Sequence, residues 1–261
     1  MNFTGDYHTH TKMSDGRQTK EQVIKAAQKK GLKEVAITDH GPLAAGIGVK
    51  QPSDYLELKE KIRALTLDLE NLLVLVGAEA NIRDLNGTLD IPENIVEQLD
   101  LLIAGLHPYT LPERLSDGIN IFLTNSLRHF GKSIREKAVN NNTKACVEAL
   151  YRNPGIDIIA HPGLFFKVHM DELSKACIKN RVLFEINCGH EYPGISDIME
   201  ADRHGVDFII NSDAHFEDSV GKLDYGKHVI EKLKIDPDRV VNLGPGEGFK
   251  RWGKKWNIYT Y

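Results

Sequence analysis

The chain has 261 residues, 41% of them apolar, which supplies a sizeable core and places the length between one domain and two. Lysine and arginine total 33 against 37 aspartates and glutamates, a formal net charge of −4 with a pI near 6.3, which speaks against a protein that coats nucleic-acid duplexes. Three cysteines without a CxxC (Cys146, Cys177 and Cys188), a start with no basic segment ahead of an apolar run, and a longest apolar run of only Leu72–Val76 (extended to Ala78 across a glycine) lead us to expect a cytoplasmic protein with no membrane span.

Along the chain, one unit recurs: an amphipathic helical stretch, a short apolar run, and a polar residue at the end of that run. Phe3–His8 is the first predicted strand. Thr19-Lys20-Glu21-Gln22 reads as a capping box, Val23, Ile24 and Ala27 follow at helical spacing, and Gly31 stops the helix. Val35–Thr38 is the second strand. Ser53-Asp54 predicts another cap, with Leu56, Ile62, Leu65 and Leu69 keeping a helical period. Leu72–Ala78, Leu101–Leu106, Ile156–Ala160, Val182–Cys188 and Phe208–Asn211 are the remaining strands. Further helical patterns cover about Asn142–Tyr151, Asp171–Asn180, Ser196–His204 and Lys222–Leu233. The apolar runs are short, rich in β-branched residues and almost uninterrupted, which suits parallel strands buried on both faces. About seven βα units predict an α/β fold, a parallel sheet closed or nearly closed into a barrel, as one domain over residues 1–261. Residues 108–141 break the rhythm. They hold no clear strand but carry Pro112, Gly118, Gly131 and the basic group Arg128, His129, Lys132 and Arg135. An insertion of this length reads either as a lid or as a surface excursion.

The ends of the apolar runs carry the chemistry. In order they read Tyr7-His8-Thr9-His10, Thr38-Asp39-His40, Ala78-Glu79-Ala80-Asn81, Leu106-His107-Pro108, Ala160-His161-Pro162, Glu185-Ile186-Asn187-Cys188 and Ser212-Asp213-Ala214-His215. Residues i and i+2 of a strand share a face, so His8 projects with His10 and Asp213 with His215. The C-terminal rim of a parallel barrel is where active sites are built, and six of the eleven histidines fall there. A single histidine in such a place is ordinary; six are not. Imidazole and carboxylate without thiolate suit Zn²⁺, Mn²⁺ or Fe²⁺. His8, His10, Asp15, His40, Glu79, His107, His161, Asp213 and His215 make nine candidate ligands. That is too many for one ion and matches two or three, an arrangement suited to phosphoryl transfer.

His8-Thr9-His10 with Ser14-Asp15-Gly16, Thr38-Asp39-His40-Gly41, Gly77-Ala78-Glu79-Ala80-Asn81-Ile82, Gly105-Leu106-His107, His161-Pro162-Gly163 and Ser212-Asp213-Ala214-His215 resemble, in this order, the motifs of the PHP (polymerase and histidinol phosphatase) family, and most of all its stand-alone bacterial phosphoesterases. The resemblance runs from about residue 6 to 245. It implies a distorted (βα)₇ barrel with a trinuclear centre. His8, His10, Glu79 and Asp213 would hold one ion. Glu79, as a bridge, with His107 and His161 would hold the second, and Asp15, His40 and His215 the third. Asp15 stands where relatives carry either His or Asp. The implied reaction is hydrolysis of a small phosphomonoester by a hydroxide bridging the ions, with Asp213 at the reacting centre and Asp39 orienting a ligand or moving a proton. Arg17, Arg128 and Asn187 are the candidate substrate contacts, with Arg135, Lys167 and His190 behind them; arginine suits bidentate phosphate capture. Trp252 and Trp256, in the basic tail, are expected to pack on the barrel rather than to bind nucleic acid. The alternatives are a histidinol-phosphate phosphatase specifically, a nuclease or polymerase-associated module, and a non-enzymatic metal-binding barrel.

Overall fold

The computed structural model describes residues 1–67, 69–244, 248 and 249; Trp252 and Trp256 lie outside the described residues. Seven strands form one parallel sheet in chain order: β1 (Gly5–Asp6), β2 (Glu34–Ile37), β3 (Leu73–Asn81), β4 (Leu101–Gly105), β5 (Ile158–Ile159), β6 (Leu183–Asn187) and β7 (Phe208–Asn211). Around them run α1 (Lys20–Lys30), α2 (Asp54–Leu65), α3 (Glu93–Val96), α4 (Leu115–Asp117), α5 (Thr124–Ser126), α6 (Lys132–Arg152), α7 (Met170–Asn180), α8 (Ile195–His204) and α9 (Asp224–Leu233).

The barrel is nearly closed. Between its first and last strands, Thr9 and Ala214 form an isolated parallel bridge: the His10 N–H donates to the Ala214 carbonyl at 2.9 Å and the Ala214 N–H to the His8 carbonyl at 3.2 Å. Below it the Asn242 side chain spans the seam, its Nδ2 donating to the carbonyls of Gly5 and Ile210.

Side-chain alternation decides what each strand contributes. Val35, Ile37, Val74 and Val76 face outward and bury against Val23, Ile24 and Ala27 of α1 and Leu58 and Ile62 of α2. Ala36, Leu75, Ile103, Ile158, Leu183 and Ile209 fill the interior. Two or four residues further along the same inward register stand Glu79, Gly105, Glu185 and Asn211. The barrel is therefore apolar at its base and polar at its C-terminal rim.

Several elements differ from expectation. The first strand shrinks to two residues and the fifth to Ile158–Ile159, whereas β3 runs on to Asn81. The Thr19 capping box forms as read: the Thr19 N–H donates to Gln22 Oε1 at 2.8 Å and Gln22 N–H to Thr19 Oγ1 at 3.4 Å. Ser53 does not cap α2. It has helical dihedrals and no capping bond, and the Asp54 carboxylate instead accepts the N–H groups of Lys50 and Gln51. That helix stops at Leu65 rather than reaching Leu69. The 108–141 segment is not a loop. It holds α4, a π-helical turn (Gly118–Leu123), α5, a 3₁₀ turn (Arg128–Phe130) and the first turns of α6, which begins at Lys132 rather than near Asn142. The front of α6 is almost wholly exposed and so carries no apolar period to read.

Candidate metal centre

Glu79, fully buried at the end of β3, is the hub. Its Oε1 lies 3.0 Å from His161 Nε2 and 3.1 Å from His107 Nε2. Its Oε2 lies 2.8 Å from His40 Nδ1, 3.2 Å from His8 Nε2 and 3.5 Å from His10 Nε2. Asp213 Oδ1 lies 3.1 Å from His10 Nε2 and 3.5 Å from His8 Nε2. Towards the surface, Asp15 Oδ2 lies 3.3 Å from His215 Nε2 and 3.7 Å from His40 Nε2. All nine candidate ligands thus converge. Three groups have ligand atoms within 4.8 Å of one another: His10 with Asp15, His40 and His215; His8 with His10 and Glu79; and His40 with Glu79 and His107.

The surrounding backbone is shaped to allow this. Gly105 sits where a Cβ would overlap the His107 ring, and Gly16 where it would overlap the His10 carbonyl. His161 and Asp213 both take positive φ, +26° and +52°, conformations that cost free energy in a non-glycine residue and cluster at functional sites.

Polar neighbours fix the ring orientations. His8 Nδ1 lies 2.7 Å from Glu185 Oε1, and His107 Nδ1 lies 2.8 Å from Asn81 Oδ1. Asn81 is held in turn by Asp90, which accepts its backbone and side-chain N–H groups. The charges compensate. Burial pushes the Glu79 carboxyl up, but His40, His8 and His107 outweigh it and leave the pKa well below the usual value. Burial likewise opposes Asp213 ionisation, and His8 and His10 overcome it. Burial disfavours a charged His8, yet Asp213, Glu185 and Glu79 raise its pKa well above 6.5.

A divalent cation fits this donor set on a direct observation. Of the eight buried side-chain polar atoms without a hydrogen-bond partner among the described residues, six belong here: His8 Nε2, both His10 ring nitrogens, His40 Nδ1, Glu79 Oε2 and Asp213 Oδ1. Orphaned buried polar groups are costly and rare. Six aimed at one another form a donor set that a cation would satisfy.

The centre opens into a cavity of about 450 Å³ walled by Tyr109, Phe165, His190, Phe216 and Ser219 above Asp15, His40, Glu79, His161, Asp213 and His215. The other sequence candidates divide. Arg17 is exposed beside the rim, its guanidinium carbon 6.0 Å from the Phe216 ring centre. His190 reaches the site, with Nε2 3.4 Å from Asp213 Oδ2. Asn187 is fully buried beneath the mouth rather than in it, donating to Asp213 Oδ2 and Glu185 Oε2. Asp39 does not face the cavity. Its carboxylate accepts Thr11 N–H, Thr11 Oγ1–H and Ser14 Oγ–H, and so pins the turn that presents Asp15. Arg128 is turned away, donating to the Asn125 carbonyl. Arg135 is exposed, and Lys167 is engaged with Tyr192. The sequence reading quoted Glu185 and Asn81 within strand-end motifs without giving either a role, and did not name Tyr109, Phe165 or Phe216. Glu185 left a signal as a carboxylate inside a buried apolar run, and Asn81 as part of the Gly77–Ile82 motif.

A parallel barrel with imidazoles and carboxylates gathered at its C-terminal rim defines a metal-centred TIM-like barrel protein. The PHP domain family matches residues 6–232, and the chain belongs to that family. A probable phosphatase of Thermoanaerobacter sp. (strain X514) is 31% identical over 258 residues, covering 95% of this chain and 93% of the relative. One from Acetivibrio thermocellus is 29% identical over 251 residues, covering 93% and 92%. The fold is shared with histidinol phosphate phosphatase of Lactococcus lactis, solved with zinc, L-histidinol and phosphate (TM-score 0.60, 16% identity, covering 89% of this chain and 94% of that one). It is shared too with a putative histidinol phosphatase of Listeria monocytogenes (TM-score 0.61, 17% identity, covering 86% and 99%).

Proposed function

We propose that the chain is a metal-dependent phosphatase that hydrolyses a small phosphomonoester in the rim cavity. The observation that carries this reading is the set of six buried ligand atoms around Glu79 and Asp213 that converge on one another without forming a hydrogen bond. His8, His10, Glu79 and Asp213 would hold one cation. Glu79, with an oxygen on each side, would share a second with His107 and His161, and Asp15, His40 and His215 would hold a third. Zinc, manganese and iron all suit these donors. Divalent cations bound there would supply Lewis acidity toward phosphoryl oxygens and acidify a water.

The chain's own residues prepare the site. Glu185 and Asn81 set the ring orientations of His8 and His107. Glu79 and Asp213 stay ionised. Tyr109, Phe165 and Phe216 wall the cavity with aromatic rings. Asp15, Glu79 and Asp213 line it, and neither lysine nor arginine is among its described lining residues. With the imidazoles serving as neutral ligands, bound cations would supply the positive charge that receives an anionic ester, which supports metal dependence. The zinc, L-histidinol and phosphate in the Lactococcus structure make histidinol phosphate the specific alternative substrate. No described helix is long and apolar enough to cross a membrane, and the three cysteines are free, which fits a reducing, cytoplasmic setting.

Turnover of p-nitrophenyl phosphate with added Mn²⁺ or Zn²⁺, abolished by a chelator, tests the reading. His8→Ala and Asp213→Ala should each cut kcat/KM by several orders of magnitude with the circular dichroism unchanged, and Asp15→Ala should cut it less. Wild-type activity in either of the first two would overturn the ligand assignment. Histidinol phosphate, other phosphorylated metabolites and single-stranded DNA, assayed in parallel, separate the substrate classes.

A further inference from the structure

The helical excursion between β4 and α6 exposes a row of large apolar side chains at Leu115, Ile119, Leu123, Leu127 and Phe130, and Leu111 is exposed in the non-helical chain just ahead of it. The spacing is four residues until the last step. In an α-helix each such step overshoots a full turn by about 40°; the wider π-helical turn at Gly118–Leu123 takes part of that drift back and keeps the row in line. The opposite face of the same helical run, Asp117, Ile121, Thr124 and Asn125, is the buried one. The usual pattern is thus inverted, with apolar residues facing solvent.

The excursion is fastened down rather than poised to swing as a lid. Asn125 and Asn142 exchange amide hydrogen bonds of 2.7 and 3.0 Å, and Asn142 also donates to the Lys167 carbonyl. At its start Arg83 donates to the carbonyls of Leu111 and Pro112 and pairs with Glu113.

We propose that this row is the interface on which two copies of the chain pair about a twofold axis. Area is the first argument. Exposure runs from 39% at Leu127 to 84% at Leu115, with Phe130 at 80%. The six side chains together present on the order of 700 Å², more than the ~300–600 Å² of the largest patch on a typical monomer and near the ~800 Å² that each partner gives a stable interface. Charge is the second. An isologous contact sets residues near the axis against their own copies, so a charged face would repel itself. From Leu115 to Leu127 the only ionisable side chain is Asp117, which is buried and capped onto the Arg114 N–H. Arg114, Arg128, His129 and Lys132 flank this uncharged stretch, so an anionic lipid surface, which amphipathic helices grip through basic flanks, is the other occupant that the test must exclude.

Sedimentation equilibrium of the full chain, from about 1 to 100 µM, tests the proposal. The wild type should be dimeric. Ile119→Glu with Leu123→Glu should weaken self-association at least ~30-fold, as loss of central anchors does, while far-ultraviolet circular dichroism and kcat/KM stay at wild-type values. Tyr151→Glu, at an exposed aromatic elsewhere, should leave the dimer intact. A wild type that is monomeric throughout the range, a dimer that survives the double substitution, or a monomer that co-sediments with vesicles of phosphatidylserine and phosphatidylcholine would each overturn it. Unchanged kcat/KM shows that the double variant is folded, and the Tyr151 control separates loss of this row from a general effect of added charge.

Discussion

Glu185 accepts the His161 backbone N–H through Oε2 at 2.7 Å and lies 2.7 Å from His8 Nδ1 through Oε1. Glu185→Gln keeps the shape but sets an amide NH₂ against either the His8 ring nitrogen or the His161 backbone N–H, both of which face a carboxylate oxygen in the wild type. We expect metal affinity to fall about 10–100-fold, as it does when groups behind a ligand are removed, with circular dichroism unchanged. Calorimetric titration with Zn²⁺ checks this, and an unchanged dissociation constant would refute the orienting role. The ligands themselves were legible because each ends its own apolar run in a short distinctive motif. Glu185 was not, because a single glutamate inside a strand says only that something must pair with it. Asp84 shows a second kind of residue-level dependence. Burial raises its carboxyl pKa, but the N–H groups of Thr88 and Asn86 and the Thr88 hydroxyl more than offset that, so the folded pKa lies below the ordinary 3.8. A depressed carboxylate stabilises the fold fully above 3.8 and loses that contribution as pH falls through the folded value. Asp84→Ala should therefore cost about 1–3 kcal/mol at pH 7, and the gap between variant and wild type in urea unfolding should narrow below pH 3.8. A gap that stays constant with pH would assign the loss to packing alone.

Among the elements, α6 teaches most about what a sequence hides. Its second half buries Ala145, Cys146, Ala149 and Leu150 at helical spacing and was foreseen. Its first half, Lys132 to Lys137, touches little and carries no pattern. The excursion before it was unreadable for a related reason: its apolar residues face outward, so periodicity did not say which face met the barrel. What fastens it is the Asn125–Asn142 amide pair, two residues that composition would assign to a loop. Asn142→Ala leaves the Asn125 side chain buried without its partner. Such a loss costs about 1–3 kcal/mol, and the effect should be local. Hydrogen exchange should accelerate across 115–130 while β2, β3 and β4 keep their protection. Uniform acceleration over the whole chain would show instead that the pair stabilises the barrel as a unit.

In the molecule as a whole, chain order around the barrel brings β1 and β7 together at a seam joined by the Thr9–Ala214 bridge and the Asn242 side chain. The candidate ligands straddle that seam, His8 and His10 on one side and Asp213 and His215 on the other. Cations held between them would cross-link the two ends of the fold as well as serve the reaction. Ions that bind the folded chain and not the unfolded one stabilise it by about 1.4 kcal/mol for each tenfold rise in free ion above the dissociation constant, or roughly 3–5 °C in melting temperature for a domain of this size. The same binding should act most strongly at the seam, because that is where the fewest backbone bonds join neighbouring strands. We therefore expect added Mn²⁺ or Zn²⁺ to raise the melting temperature with the logarithm of its concentration. We also expect it to slow exchange of the His10 and Ala214 amides, which form the bridge, by more than that of the Ala78 and Ala80 amides in the continuous β3 ladder. Chelation should reverse both. A melting temperature indifferent to metal would remove the cross-link. Slowing that is equal at the seam and in β3 would show that the ions stabilise the barrel globally, without tying its ends.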